Sequence, residues 1–345
     1  MKRTRLFLRS FLQKRVLKIG ITAGDPAGIG PEVSLKAINS LSDEAVIPVL
    51  YCRKRLLEEL YPDIFSDYET IESNCAADIP TMTLKAGKKY VYDVSIDLPV
   101  PVPGRGSAAT GSEARAYIDR AIDHWKAGVL DALVTGPVSK SCIEKSGVPF
   151  TGHTEYIADR LGERDPLMMM FSLKYRVLLA TAHIPVMRVA ESISLEGLLN
   201  VIRVGYRSIR SIDGRVAKIA VAGLDPHCGD DGAIGTFDRE ITHRAVQRAA
   251  GEGIPVLGPF AADTLFIPDT WERYNLVIAQ YHDQGLIPFK MLAFDDGVNV
   301  TLGLSMVRTS VDHGTAFDIA GKNESRFTSM TEAIKLAKRL VLSHG

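Results

Sequence analysis

Short apolar runs recur along this chain, and segments of helical periodicity separate them. Leu17–Ala23, Ala45–Tyr51, Val129–Val134, Tyr175–Thr181, Ala217–Ala222 and Leu276–Ala279 read as strands. Residues 54–60, 107–126, 194–209 and 237–251 carry apolar side chains at helical spacing. A helix between two strands carries the chain back across the sheet, so such strands pair in parallel and both sheet faces become covered. The expected fold class is therefore α/β with a largely parallel sheet. A chain of 345 residues suggests two domains. Residues 61–106 read as irregular, and Trp125 reads as a core residue of the 107–126 helix.

Three of these runs end near a histidine: His183 after Tyr175–Thr181, His227 after Ala217–Ala222 and His282 after Leu276–Ala279. Ligands of open α/β sheets sit beyond the carboxyl ends of strands. Parallel strands bring those ends to one edge, so three imidazoles distant in sequence can converge. Neutral imidazoles suit zinc, cobalt or a similar divalent ion and leave positions open for substrate. After Leu276–Ala279 the chain is expected to turn through Gln284–Gly285. Lys290, Asn299 and Arg308 follow in a glycine-rich segment, two cations and an amide suited to neutralising and orienting a phosphate.

Two further stretches carry signals. Gly24–Glu32 (GDPAGIGPE) follows the first strand, and Pro31 and Glu32 suit a helix start. Its glycines are not in GxGxxG order, so it is no dinucleotide fingerprint, and a structural turn explains it as well as a ligand loop. In Phe150–Glu155 (FTGHTE), Thr154 reads either as the cap of a helix over 156–161 or as part of an anion site at that helix's amino end. His153 beside it would be an added donor.

Lys plus Arg and Asp plus Glu both total 41, a balance that argues against a nucleic-acid partner. Cys52, Cys75, Cys142 and Cys228 form no CxxC pair, as expected of inert thiols in a reducing cytoplasm. The first 16 residues form a basic leader, read as a loosely ordered tail or the product of an upstream start codon, with a membrane-surface or organelle-targeting role as the alternative. Its apolar stretch is too short for a signal peptide, and no apolar span suits a membrane.

The segments GDPAGIGPE (24–32), TGPVSK (135–140), FTGHTE (150–155), AHIP (182–185), DPHCGD (225–230), YHDQGLIPFK (281–290) and GVNVTLGLSMVRTSVDHGTAFDIAGK (297–322) together resemble the 4-hydroxythreonine-4-phosphate dehydrogenase (PdxA) family of pyridoxine biosynthesis. The resemblance runs from about Leu17 to the C-terminus. It implies two α/β/α domains with a cleft between them, similar to isocitrate and isopropylmalate dehydrogenases and not a Rossmann domain. The division expected is 17–128 plus 282–345 against 129–281.

The resemblance further implies NAD- or NADP-linked oxidation of 4-phosphooxy-L-threonine and loss of carbon dioxide to give 3-amino-2-oxopropyl phosphate. Its divalent metal (zinc, magnesium or cobalt) would be held by His183, His227 and His282. Substrate contacts would fall on His153, Thr154, Lys290, Asn299 and Arg308, with Lys290 and His153 as catalytic groups. His313, Gly314 and Thr315 would belong to the cofactor loop. A homodimer sharing its active sites is expected, with no nucleic-acid or membrane partner. Ala23 stands where the family usually has methionine before GDPAGIGPE, and Cys228–Gly229–Asp230 departs modestly from its pattern. Both departures leave open a paralogue acting on D-threonate or D-erythronate 4-phosphate. A phosphate-binding or phosphoacyl-transfer protein is the more distant alternative.

Overall fold

The first apolar run forms strand β1 (Leu17–Thr22), buried along nearly its whole length. In this computed structural model, residues 15–72 and 84–344 are described. Most of the leader (1–14) and Cys75 lie outside the described residues. Arg15, at the leader's end, meets Asp131 at 2.7 Å on the surface.

Eleven more strands follow: β2 (Val46–Cys52), β3 (Tyr68–Glu72), β4 (Lys89–Asp93), β5 (Ala132–Thr135), β6 (Leu167–Phe171), β7 (Arg176–Leu179), β8 (Ile219–Ala222), β9 (Val256–Phe260), β10 (Leu276–Ala279), β11 (Val298–Leu302) and β12 (Arg308–Val311). All twelve form one sheet in the order β3-β4-β2-β1-β5-β12-β11-β6-β7-β10-β8-β9. The longer helices are α1 (Gly30–Ser40), α2 (Lys54–Leu60), α3 (Ala108–Lys126), α4 (Lys140–Lys145), α5 (His153–Leu161), α6 (Leu195–Asp213), α7 (His243–Gly251), α8 (His282–Ala293) and α9 (Thr328–His344). The α/β expectation holds. One sheet runs through both expected segments, and β5, from 129–281, pairs with β1 and β12 from the flanking segment.

The sheet is mixed, and its polarity changes at the middle. β12 and β11, β11 and β6, and β6 and β7 are all antiparallel. Outside that centre the pairs are parallel, as expected. Side chains alternate between two buried faces. In β10, Leu276 and Ile278 join one core cluster, with α6 residues such as Leu199 and Ile202. Val277 and Ala279 join the other, with Leu286 and Phe289 of α8.

Four sequence expectations need correction. Residues 61–106 contain β3, β4 and a helical turn at Pro62–Phe65. The chain after β10 does not turn through Gln284–Gly285: α8 begins at His282 and contains both Gly285 and Pro288. Gly285 has no side chain because α8 packs closely there; a Cβ would fall 2.7 Å from a Val177 methyl. Trp125 packs against the core but is only half-buried, and its neighbour His124 takes the inward position at 1% exposure. Finally, Thr154 caps nothing. α5 starts at His153 after Gly152, with no side-chain cap.

Candidate active site

β7, β10 and β8 are adjacent and parallel, so their carboxyl ends share one edge and carry His183, His282 and His227. Side-chain hydrogen bonds to main-chain carbonyls tie the three exits together. Thr181 Oγ1 donates to the Gln280 carbonyl (2.7 Å), Gln280 Nε2 to the Ala222 carbonyl (2.7 Å) and Gln284 Nε2 to the Gly223 carbonyl (2.7 Å). The His183 and His282 ring centroids lie 5.8 Å apart. Each Nδ1 has a carboxylate neighbour, Glu155 at 3.4 Å and Asp283 at 2.6 Å respectively.

His227 sits in an unusual turn. His227, Cys228, Asp230 and Asp231 all have positive φ, between 46° and 57°. Left-handed backbone costs a non-glycine residue about 1–2 kcal/mol, so the turn must be held from outside. Asp238, fully buried, accepts from the backbone N–H groups of Leu224 and Asp225 and from Thr242 Oγ1. Two imidazoles as close as His183 and His282 suit one ion, but a resident metal needs a third donor. Among the described residues, no three His, Cys, Asp or Glu side chains are grouped to hold one. One chain thus brings together two of the three expected histidines and does not complete the set with His227.

The other predicted residues gather where the sheet changes polarity. Thr301 of β11 is in register with Arg308 of β12 and with Met168 of β6; Asn299 is in register with Ser310. Alternation puts Asn299, Thr301, Arg308 and Ser310 on one face. A cleft of about 200 Å³ opens there, lined by His153, Thr154, Glu155, Lys140, Asn299, Arg308, His183 and His313, among others. A groove of about 400 Å³ beside the amino end of α6 is larger, but no unpartnered buried polar atom lines it. Several line the smaller cleft: His153 Nε2, Glu155 Oε2, Asn299 Oδ1 and His313 Nε2. Buried polar atoms without partners mark a place for a ligand.

Arg308 dominates the electrostatics. It is 2% exposed, and its partners are hydroxyls only: Thr135 Oγ1 at 2.6 Å, Thr301 Oγ1 at 3.0 Å and Thr154 Oγ1 at 3.4 Å. Burial pushes its guanidinium down to about 9, which still leaves it charged at neutral pH. Glu155 is a charged neighbour but no hydrogen-bond partner, and a buried cation bonded only to neutral groups leaves room for an anion to pair with it. His153 is the neutral member, held well below its ordinary range first by burial and then by the charges of Arg308 and Lys140.

Lys290, on α8, does not line the cleft. It contacts Asp312 at 3.0 Å, and Asp312 precedes His313. Burial raises the Asp312 carboxyl and lowers His313. The loop at His313–Thr315 docks on the glycine turn after β1, where Ile29 N donates to the Thr315 carbonyl at 2.9 Å. A Cβ on Gly28 would lie 2.8 Å from that carbonyl oxygen. The GDPAGIGPE turn is therefore a platform for the predicted cofactor loop. Gly314 itself faces open space.

Comparison with known proteins decides the family. Residues 44–337 match the model of the pyridoxal phosphate biosynthetic protein PdxA. The chain belongs to the PdxA family. A 4-hydroxythreonine-4-phosphate dehydrogenase from Desulforapulum autotrophicum is 39% identical, with 92% of this chain and 94% of that one covered. The crystal structure of 4-hydroxythreonine-4-phosphate dehydrogenase from Klebsiella pneumoniae superposes with a TM-score of 0.79 at 34% identity, covering 94% of this chain and 99% of the other. A β-decarboxylating dehydrogenase from Thermococcus kodakarensis shares the fold at a TM-score of 0.50 and 15% identity, covering 95% and 84%. The PdxA chain is thus built as expected, on the decarboxylating-dehydrogenase fold.

Sequence reasoning left three neighbours of the site without a role: Glu155, Lys140 and Asp312. The first two stand in the quoted segments FTGHTE and TGPVSK, and the third directly precedes His313. No spacing rule connects them, because tertiary packing alone brings them together.

Proposed function

We propose that this chain is an NAD- or NADP-dependent 4-hydroxythreonine-4-phosphate dehydrogenase that serves pyridoxal phosphate biosynthesis. The observation that carries the reading is Arg308, a buried guanidinium that faces the cleft and is hydrogen-bonded to hydroxyls alone, with Glu155 near it but not paired to it. A phosphate monoester supplies the missing charge. The name of the relatives at 37–40% identity supports the same substrate.

Arg308 and Thr154 receive the phosphate, and Asn299 fixes the orientation of the substrate. The His313–Thr315 loop would hold a nicotinamide cofactor, which when bound would supply the hydride acceptor for the alcohol carbon, and the hydroxyl proton would leave to a base. Lys290, tethered by Asp312, is placed to take part in that proton movement, and His153 is neutral and has Nε2 free. The keto acid then loses carbon dioxide, and the electron pair left behind is protonated at carbon. A divalent ion (zinc, magnesium or cobalt) bound by His183 and His282, with His227 contributed by a second copy, would lower the hydroxyl pKa and stabilise enolate charge.

An exposed apolar face supports such a homodimer. Ile287, Met291 and Phe294 repeat along one side of α8 and are 58, 79 and 66% exposed, and Met187, beyond His183, is 93% exposed. Among the described residues no helix is long and apolar enough to cross a membrane.

The test is NAD(P)H formation from 4-phosphooxy-L-threonine, with D-erythronate 4-phosphate as comparator, on protein whose metal content is known. A kcat/KM favouring the phosphothreonine supports the reading. Absence of reduction with both substrates, in protein carrying its metal, would overturn it.

A further inference from the structure

We propose that Lys140 is a substrate-phosphate ligand, a second cationic arm on the anion that Arg308 receives; this rests on the cleft being the substrate site. Lys140 stands in the TGPVSK segment after β5 and is the first residue of α4. Two contacts fix where it starts. Ser139 Oγ accepts from Cys142 N at 3.3 Å and caps the helix. On α3, a Cβ at Gly111 would lie 2.2 Å from the Cys142 carbonyl carbon and oxygen. The α3 and α4 backbones therefore touch, and α4 cannot drift away from the cleft.

The ammonium group is aimed at the amino end of α5. A Cβ built on Gly152, the residue before that helix, would sit 3.6 Å from Lys140 Nζ. Gly152 has an extended backbone (φ 165°), which any residue adopts. Glycine at that position serves space and not conformation. It leaves room there for the ammonium and for Glu155 Oε2, 2.8 Å from the same point, beside the first N–H groups of α5, which are unpaired within their helix and favour negative charge. Lys140 lines the same cleft as Arg308, and among the described residues it makes no ion pair or hydrogen bond.

Arg308, Lys140 and the start of α5 thus reach one small space from three separate elements. The guanidinium offers a planar fork and the ammonium a point charge. Together they match the dianion of a phosphate monoester, whereas a single carboxylate would leave one cation unmatched.

The experiment is titration calorimetry of the full-length protein with inorganic phosphate, on wild type, Lys140→Met, Lys140→Arg and Arg308→Met. Loss of one charge-assisted contact weakens phosphate binding about tenfold or more. Lys140→Met is expected to show that loss, with Lys140→Arg restoring most of the affinity and the melting temperature unchanged. In steady-state assays KM for the phosphorylated substrate should rise in parallel, with a smaller change in kcat. If Lys140→Met binds phosphate as wild type does while Arg308→Met does not, Lys140 is no ligand and the cleft assignment stands. If both variants retain wild-type affinity, the phosphate site is elsewhere and the cleft assignment falls with the inference.

Discussion

Replacing Arg308 by methionine should move stability and activity in opposite directions. Methionine keeps the unbranched stem and deletes the charge. Burial that brings the guanidinium from its ordinary range down to about 9 corresponds to about 5 kcal/mol against the charged form in the empty protein. The bonds to Thr135 and Thr301 return about 1 kcal/mol each. The substitution removes both contributions, and some packing is lost because methionine does not fill the guanidinium volume. The apo protein is expected to gain about 1–3 kcal/mol, in line with exchanges of buried charge for apolar groups. Catalysis should suffer. A bidentate guanidinium–phosphate contact involves two charge-assisted bonds of about 1.5–3 kcal/mol each, so kcat/KM should fall about a hundredfold or more. Thermal melts, with and without phosphate, and NAD(P)H absorbance measure both. Phosphate should raise the wild-type melting temperature and leave that of the variant unmoved. A variant that melts several degrees lower and keeps its kcat/KM would show that Arg308 is a structural cation, which refutes the reasoning.

Acid stability should depend on His124. Burial, followed by the charge of Arg120, holds it at about 4 against 6.5, so between those values the unfolded chain binds the proton and the folded one does not. Stability should therefore fall by up to about 3 kcal/mol as pH drops from 6.5 to 4; chemical denaturation of His124→Gln should show a flatter acid limb, and an unchanged one would exclude this cause. Glu113→Gln leaves the buried Arg53, now held bidentately at 3.0 Å, without its counter-charge. It should cost about 3–5 kcal/mol in urea unfolding, and a loss below about 1 kcal/mol would show the pair to be dispensable. Gly28→Ala drives a methyl into the Thr315 backbone and should raise KM for the nicotinamide cofactor more than KM for substrate; equal effects on both would dissociate this loop from cofactor binding.

The sequence carried the inner part of the fold well. Both β1 and β10 are apolar runs with buried faces on either side, and α2 spans the 54–60 segment read from its periodicity. Two strands, one at the sheet edge and one at its centre, were hidden for physical reasons. β3 (YETIE) lies at the sheet edge, half-exposed and charged, and so lacks an apolar run. β6 (LMMMF) is rich in unbranched methionine, which gives little strand signal. Pro288 and Gly285 disguised α8, because local propensity argues against a helix that packing on β7 enforces. In the site, residues following strands were legible: His183 and His282 do meet, as parallel topology demands. The cleft was less so. Its floor depends on the antiparallel centre β12-β11-β6, and register across antiparallel strands is not written in the spacing of Asn299, Arg308 and Met168.

The account depends on an anion completing Arg308, and a crystal structure of the protein with its phosphorylated substrate tests that most directly. The phosphate should lie within hydrogen-bond distance of the Arg308 guanidinium, between His153–Thr154 and β11. A substrate bound with its phosphate in another part of the molecule, and Arg308 still held only by the hydroxyls of Thr135, Thr301 and Thr154, would contradict it.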